Sequence, residues 1–250
     1  MRGLFDPSLL IARMDRHGVE RAWVSVPPPA YRQRLNAPQA LSWATYLNDG
    51  LLRIAKESGG RLGALFYLPL EHPEIHPSLQ GIYQAGSYEG IAMSAGGHPR
   101  IVLSEERYES LWKWLDELEA FVFLHPGTCA DPRLARFYLE NLVGNPMETG
   151  IAAAHLVMAG VPGRYPGIRF CLAHAGGAFS SLVGRMERGF ETGRPWVDRG
   201  VERPLQAARR FYVDGIAHHP GLLRTVREIH GDDHVLYGSD WPFPMGLPHD

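Results

Sequence analysis

Short apolar runs alternate along this chain with longer stretches whose hydrophobic residues return every three or four positions. The runs are Ala22–Val26, Leu62–Leu68, Gly90–Ser94, Phe121–Leu124, Ile168–Ala173, Phe211–Val213 and His234–Tyr237, most of them rich in Val, Ile, Leu and Phe. Runs of this length and composition predict strands buried on both faces. Between them, Gln39–Lys56, His76–Gln84, Glu105–Glu119, Thr149–Ala159, Ala178–Phe190 and Gly221–His230 carry the helical period. A further helix opens the chain, with Asp6 as N-cap, Pro7 at its first position and Gly18 as its stop. Ser104 ahead of Glu105 and Glu106 predicts another capped helix start, since both acids favour the positive end of the helix dipole.

Strand and helix in alternation imply parallel strands with right-handed crossovers, in an open sheet or a closed barrel. No Gly-x-Gly-x-x-Gly follows any strand, which argues against the open, doubly wound alternative. The count argues for a barrel: seven strands, a helix ahead of the first, and an end at Asp250 a loop's length after the last. A TIM barrel needs eight strand–helix units. The expected fold is an α/β TIM (β/α)8 barrel, with residues 1–250 as a single domain that supplies the second to eighth strands. The first strand and the last helix are expected to be lacking.

With 250 residues, 45% of them hydrophobic, the chain can bury a core of that size. A net charge of −2 gives no reason to expect nucleic acid or an anionic membrane as partner. No stretch approaches the roughly 18 apolar residues of a membrane span. Cys129 and Cys171 are too few for a disulfide framework and fit a reducing cytoplasm. Neither has a second cysteine nearby, so both read as ordinary thiols. Lys56 and Lys113 are the two lysines, and neither ends a strand. That disfavours Schiff-base chemistry.

Active-site residues of such barrels lie at the C-terminal ends of strands. His125, His174, Asp214 and Asp240 all fall there. A lone histidine at a strand end is usually a hydrogen-bonded structural residue. Two histidines and an aspartate converging on one mouth instead suit zinc or a similar divalent ion. The other histidines read as structural. His155 sits in an apolar helix; His218 and His219 are adjacent and would point to opposite sides of an extended chain. His72, His76, His98, His230, His234 and His249 lie in loops or near helix ends, where solvent contact is expected.

Four segments carry a resemblance. They are Phe123-Leu124-His125-Pro126, Leu172-Ala173-His174-Ala175-Gly176-Gly177-Ala178-Phe179, Val183-Gly184-Arg185, and Leu236-Tyr237-Gly238-Ser239-Asp240-Trp241-Pro242-Phe243-Pro244. Together they resemble the amidohydrolase superfamily, specifically the aminocarboxymuconate-semialdehyde decarboxylase-like family, whose members also act on resorcylate, methylsalicylate and carboxyvanillate. Phe5-Asp6-Pro7, Arg13-Met14-Asp15, Gly18-Val19, the stretch from Asn141 to Gly150 and Phe211-Tyr212-Val213-Asp214 extend the resemblance over essentially the whole chain.

The resemblance implies a metal-dependent, non-oxidative decarboxylase of an aromatic or muconate-type carboxylic acid. It makes His125 a metal ligand, Asp240 a metal-bound and catalytic carboxylate, and His174 the catalytic histidine. Arg185 would bind the carboxylate of a small-molecule substrate, its planar fork suiting bidentate pairing. One divalent ion, with Zn2+ expected, and a homodimer follow from the same likeness. A metal-dependent hydrolase of a lactone, amide or ester is the alternative, and a non-catalytic fragment the third. The departure from the family is that its His-x-His pair, which supplies two metal ligands on the first strand, is absent here. A fragment of a longer barrel or a degenerate homologue would each explain this. The fragment is the expectation, because unpaired apolar sheet edges invite aggregation.

Overall fold

Seven strands pair side by side in the order in which the chain makes them: β1 (Ala22–Val24), β2 (Leu62–Tyr67), β3 (Gly90–Ser94), β4 (Phe121–His125), β5 (Arg169–Leu172), β6 (Tyr212–Asp214) and β7 (Val235–Leu236). Every pair is parallel. The computed structural model describes residues 2–4, 6–129 and 131–247, so Phe5, Ala130 and His249 lie outside the described residues. A doubly wound sheet reverses its strand order part-way, and this one never does. The sheet is therefore seven consecutive strands of a TIM barrel, with β1 and β7 at its two edges among the described residues.

Helices fill the crossovers: α1 (Pro7–Arg16), α2 (Ala37–Glu57), α3 (His76–Ala85), α4 (Glu109–Glu117), α5 (Asn145–Met158), α6 (Val161–Arg164), α7 (Phe179–Glu191), α8 (Pro204–Ala208) and α9 (Pro220–His230). Asp6 caps α1 as expected, accepting from Ser8 N, and the chain turns left-handed at Gly18 just beyond the helix. α2 starts two residues earlier than its apolar period, because the Asn36 side chain accepts from Gln39 N while Gln39 accepts from Asn36 N. α5 likewise starts at Asn145 rather than Thr149, since Pro146 fits the first turn, where its missing N–H is no loss. The predicted Ser104 cap does not form. Its hydroxyl pairs with His155 Nδ1 at 2.9 Å, and a 3-10 turn at Glu106–Tyr108 leads into α4.

Alternation along each strand divides the core in two. Val122, Leu124, Phe170, Leu172 and Val213 face outward into the large layer between sheet and helices. Leu65, Ala92, Phe121 and Cys171 face inward, with Phe123, Tyr212 and Leu236 packed against them. Three histidines expected in solvent are buried instead: His72 bonds Leu35 O, His76 bonds Pro69 O, and His230 bonds Ala208 O and the Ser180 hydroxyl. Each spends an imidazole nitrogen on a loop or helix-end carbonyl that water would otherwise satisfy. His98 and His234 are half-buried, the latter stacked on Tyr212. Cys129 and Cys171 are free thiols.

Candidate metal centre and active site

Strand parity decides which rim side chains meet. Phe121 and Phe123 point into the barrel, so His125, two residues further on, points into its mouth. Asp214 follows Tyr212 by the same rule, as does Ser94 after Ala92. His174 breaks it. Cys171 is inward, so the parity of an extended chain would send residue 174 outward. Instead the backbone turns left-handed at His174 (φ 57°), Ala175 (φ 55°), Gly176 (φ 79°) and Gly177 (φ 56°), and the imidazole returns to the rim. Asp240, four residues beyond β7, also has a left-handed backbone (φ 51°).

His125, His174 and Asp240 converge. One ligand atom from each lies within 4.8 Å of the others, and the two imidazole centroids are 4.9 Å apart, edge to face. His125 Nδ1 is 3.0 Å from the Pro126 carbonyl, to which it donates, so its Nε2 keeps a free lone pair. Burial, and then the neighbouring His174, push the His125 pKa down to about 3, with the Pro126 bond opposing them. The ring is therefore neutral near pH 7, as a ligand must be. His174 Nδ1 is buried with no hydrogen-bond partner among the described residues. Burial raises the Asp240 carboxyl above its ordinary range; His174 and His218 draw it down, and Asp214 pushes it up.

Of the other predicted residues, Asp214 ends its strand at the rim but stands outside this cluster, because backbone N–H groups occupy its oxygens. Arg185 is exposed on α7, with no hydrogen bond or ion pair to another described residue. His218 does not follow the extended-chain expectation: its φ is +55°, while His219 caps α9 by accepting from Gly221 N. Gln33 and Ser94 did not stand out in the sequence. Gln33 Nε2 reaches from the β1–α2 loop to Ser94 Oγ (3.0 Å) and Gly96 O (2.8 Å), beside the strand partner of His125. The strand-end rule that selects His125 also selects Ser94; nothing in the local pattern selects Gln33.

Comparison with known proteins places the chain in a family. The amidohydrolase family model matches residues 39–249. This chain belongs to that family. It is 30% identical over 247 residues to the 2-amino-3-carboxymuconate-6-semialdehyde decarboxylase of Dictyostelium discoideum, covering 97% of this chain and 68% of the relative. Among solved structures, the Metarhizium anisopliae IDCase in apo form matches with a TM-score of 0.84 at 23% identity, over 97% of this chain and 68% of that one. A dihydroxybenzoic acid decarboxylase from Polaromonas sp. JS666, with bound manganese and the inhibitor 2-nitroresorcinol, matches with a TM-score of 0.80 at 20% identity. That match covers 97% of this amidohydrolase and 76% of the Polaromonas chain.

Proposed function

We propose that this amidohydrolase is a metal-dependent, non-oxidative decarboxylase of an aromatic or muconate-type carboxylic acid. The observation that carries the reading is the meeting of His125, His174 and Asp240 at one mouth, in a chain whose curated relative is a decarboxylase. The donor set fits a divalent cation. His125 presents a free nitrogen and Asp240 a carboxylate, while the unpartnered His174 Nδ1 marks a polar site without its full complement. We assign His125 and Asp240 as ligands and Zn2+ as the ion. When bound, such an ion supplies Lewis-acid polarisation and a template for substrate oxygens.

The residues of this chain account for the proton. Decarboxylation leaves the electron pair of the broken C–C bond on the substrate carbon, which takes up one proton as CO2 departs. No oxidant or reductant is consumed. Asp240 and His174 stand together at the mouth as the groups that deliver it. The hydrolase alternative would use the same side chains; the relative's reaction favours decarboxylation.

Arg185 is assigned to the substrate carboxylate in the site of a second copy. Its helix α7 packs on α5, and exposed Tyr138, Leu142, Met147, Ile151 and Leu182 lie on these helices and the turn before them, supporting a homodimer. No helix among the described residues is long and apolar enough to cross a membrane. With two free cysteines, the reading places the enzyme in the cytoplasm.

The test follows 13C-carboxyl-labelled dihydroxybenzoic, methylsalicylic and carboxymuconate-type acids by NMR in D2O with Zn2+ or Mn2+. Release of labelled CO2, with one deuteron on the vacated carbon, is expected. Metal-loaded protein inert toward the whole panel would overturn the assignment.

A further inference from the structure

We infer that Asp214 is a positioning residue: it holds the left-handed turn that aims His174 at the mouth, and takes no part as a ligand. The turn has an unusual backbone. Four successive residues adopt left-handed φ, and two of them, His174 and Ala175, carry side chains that disfavour it. Something must over-determine such a conformation. Asp214 supplies it. Its Oδ2 accepts from His174 N at 2.9 Å, and its Oδ1 accepts from Ala175 N at 2.9 Å and Ile216 N at 3.0 Å. The residue is 7% exposed, so these charge-assisted bonds form away from competing water.

Parity explains why the device is needed. β5 would deliver residue 174 to the helix-facing side, and only a reversal directly after the strand returns it to the rim. β6 is the strand beside β5, and its last residue points inward, so a carboxylate there lies under the reversal. The same side chain also braces the segment leading to Asp240. A Cβ placed on Gly238 would come within 2.8 Å of Asp214 Cβ, so the two backbones approach as closely as glycine allows. Asp214 thus contacts two of the three rim segments that carry the cluster. From the other side, Ser180 Oγ lies 3.1 Å from both Ala175 O and His230 Nε2, two acceptors that share its one hydroxyl proton.

The inference rests on the metal reading in one respect, namely that the ligand Asp240, two residues beyond the Gly238 that Asp214 packs against, must keep its place beside His174 for the cation to bind. Asp214→Asn keeps the size but turns one acceptor oxygen into an N–H donor that faces backbone N–H groups. In metal-free protein, amide hydrogen exchange at His174, Ala175 and Ile216 should accelerate at least about tenfold, with Ala95, which follows β3 and bonds the His125 carbonyl, unchanged. Zn2+ titration should show affinity falling by about 10- to 100-fold, the range seen on loss of an outer-shell partner. Unchanged exchange at His174 and Ala175 would overturn the inference. So would a uniform acceleration of all amides with unaltered Zn2+ affinity, which marks a purely structural role. If His125→Ala leaves Zn2+ affinity unaltered while the Asp214→Asn exchange pattern holds, the metal reading fails and the positioning of the turn stands. Should Asp214→Asn not fold, Gly238→Ala pushes on the carboxylate without removing it. The same local acceleration is then expected at His174 and Ala175, and its absence counts against Asp214.

Discussion

Acidification should destabilise this fold within a window set by two buried histidines. His76 donates Nε2–H to the Pro69 carbonyl at 3.0 Å, and His230 donates Nδ1–H to the Ala208 carbonyl at 2.9 Å; both are nearly inaccessible. Burial pushes each pKa from 6.5 down to about 4. The Pro69 bond and Glu74 oppose this at His76; at His230 the Ala208 bond opposes it while His234 and Arg209 add to it. Because the folded value is the lower one, the unfolded chain binds more protons through the window. The contribution of these two rings is therefore full above about pH 6.5, falls as pH drops toward about 4, and levels off below that. At about 1.4 kcal/mol per pH unit, each ring removes about 3 kcal/mol, a large part of a typical domain's 5–15 kcal/mol. The assay is urea unfolding at closely spaced pH values for the parent and His76→Gln, which keeps an N–H donor for Pro69 and loses the titration. Near pH 5 the variant's stability should fall less steeply by about 1.4 kcal/mol per pH unit, one proton's worth. Parallel curves would refute the claim that His76 is held neutral.

Other expectations follow from single positions. His125→Ala should weaken Zn2+ binding by more than the roughly 10- to 100-fold typical of an outer-shell loss, measured as metal retained after dialysis; full retention would remove His125 from the ligand set. Gly177→Ala should lower unfolding free energy by about 3 kcal/mol, because the residue sits at φ 56° and ψ −137° and the new Cβ would lie 2.4 Å from Pro146 O. An unaltered melting temperature would contradict that packing. Glu71 is buried and its carboxyl pKa is raised by burial, so its contribution is fully present at acid pH and lost as pH rises through the raised value. Glu71→Gln should therefore gain stability over the parent from acid to neutral pH, and chemical denaturation showing no such divergence would be decisive against it. For Arg185, mixing Arg185→Ala with His125→Ala protomers should restore about a quarter of the sites if the arginine serves a second copy; no restoration would place it within its own chain.

Much of this architecture is legible in the sequence because fully buried strands have one composition. Leu62–Tyr67 and Phe121–His125 announce themselves as apolar runs, and the strand-end rule then reaches His125, Asp214 and Asp240 directly. Helix starts are less legible where side chains, rather than period, set them, as at Asn36. Ser104 illustrates the converse: a valid cap sequence was outcompeted by a tertiary partner, His155. The buried histidines escaped for a related reason. His76 and His230 lie beside helix ends whose surface position looks exposed until the neighbouring strands are in place. The roles of Gln33 and Asp214 depend on which backbone groups come within reach across the rim, and no local pattern encodes that.

The inward alternation of β4 has a consequence for how this site tolerates change in length. A strand has a frame of two, so inserting one residue directly after Phe121 would exchange the faces of all that follows in β4. Val122 and Leu124 would then line the lumen, while the imidazole went under the helical layer. Length changes within β4 ahead of His125 are therefore tolerable only in steps of two, whereas point substitutions that preserve the apolar character of the outward face leave its aim intact.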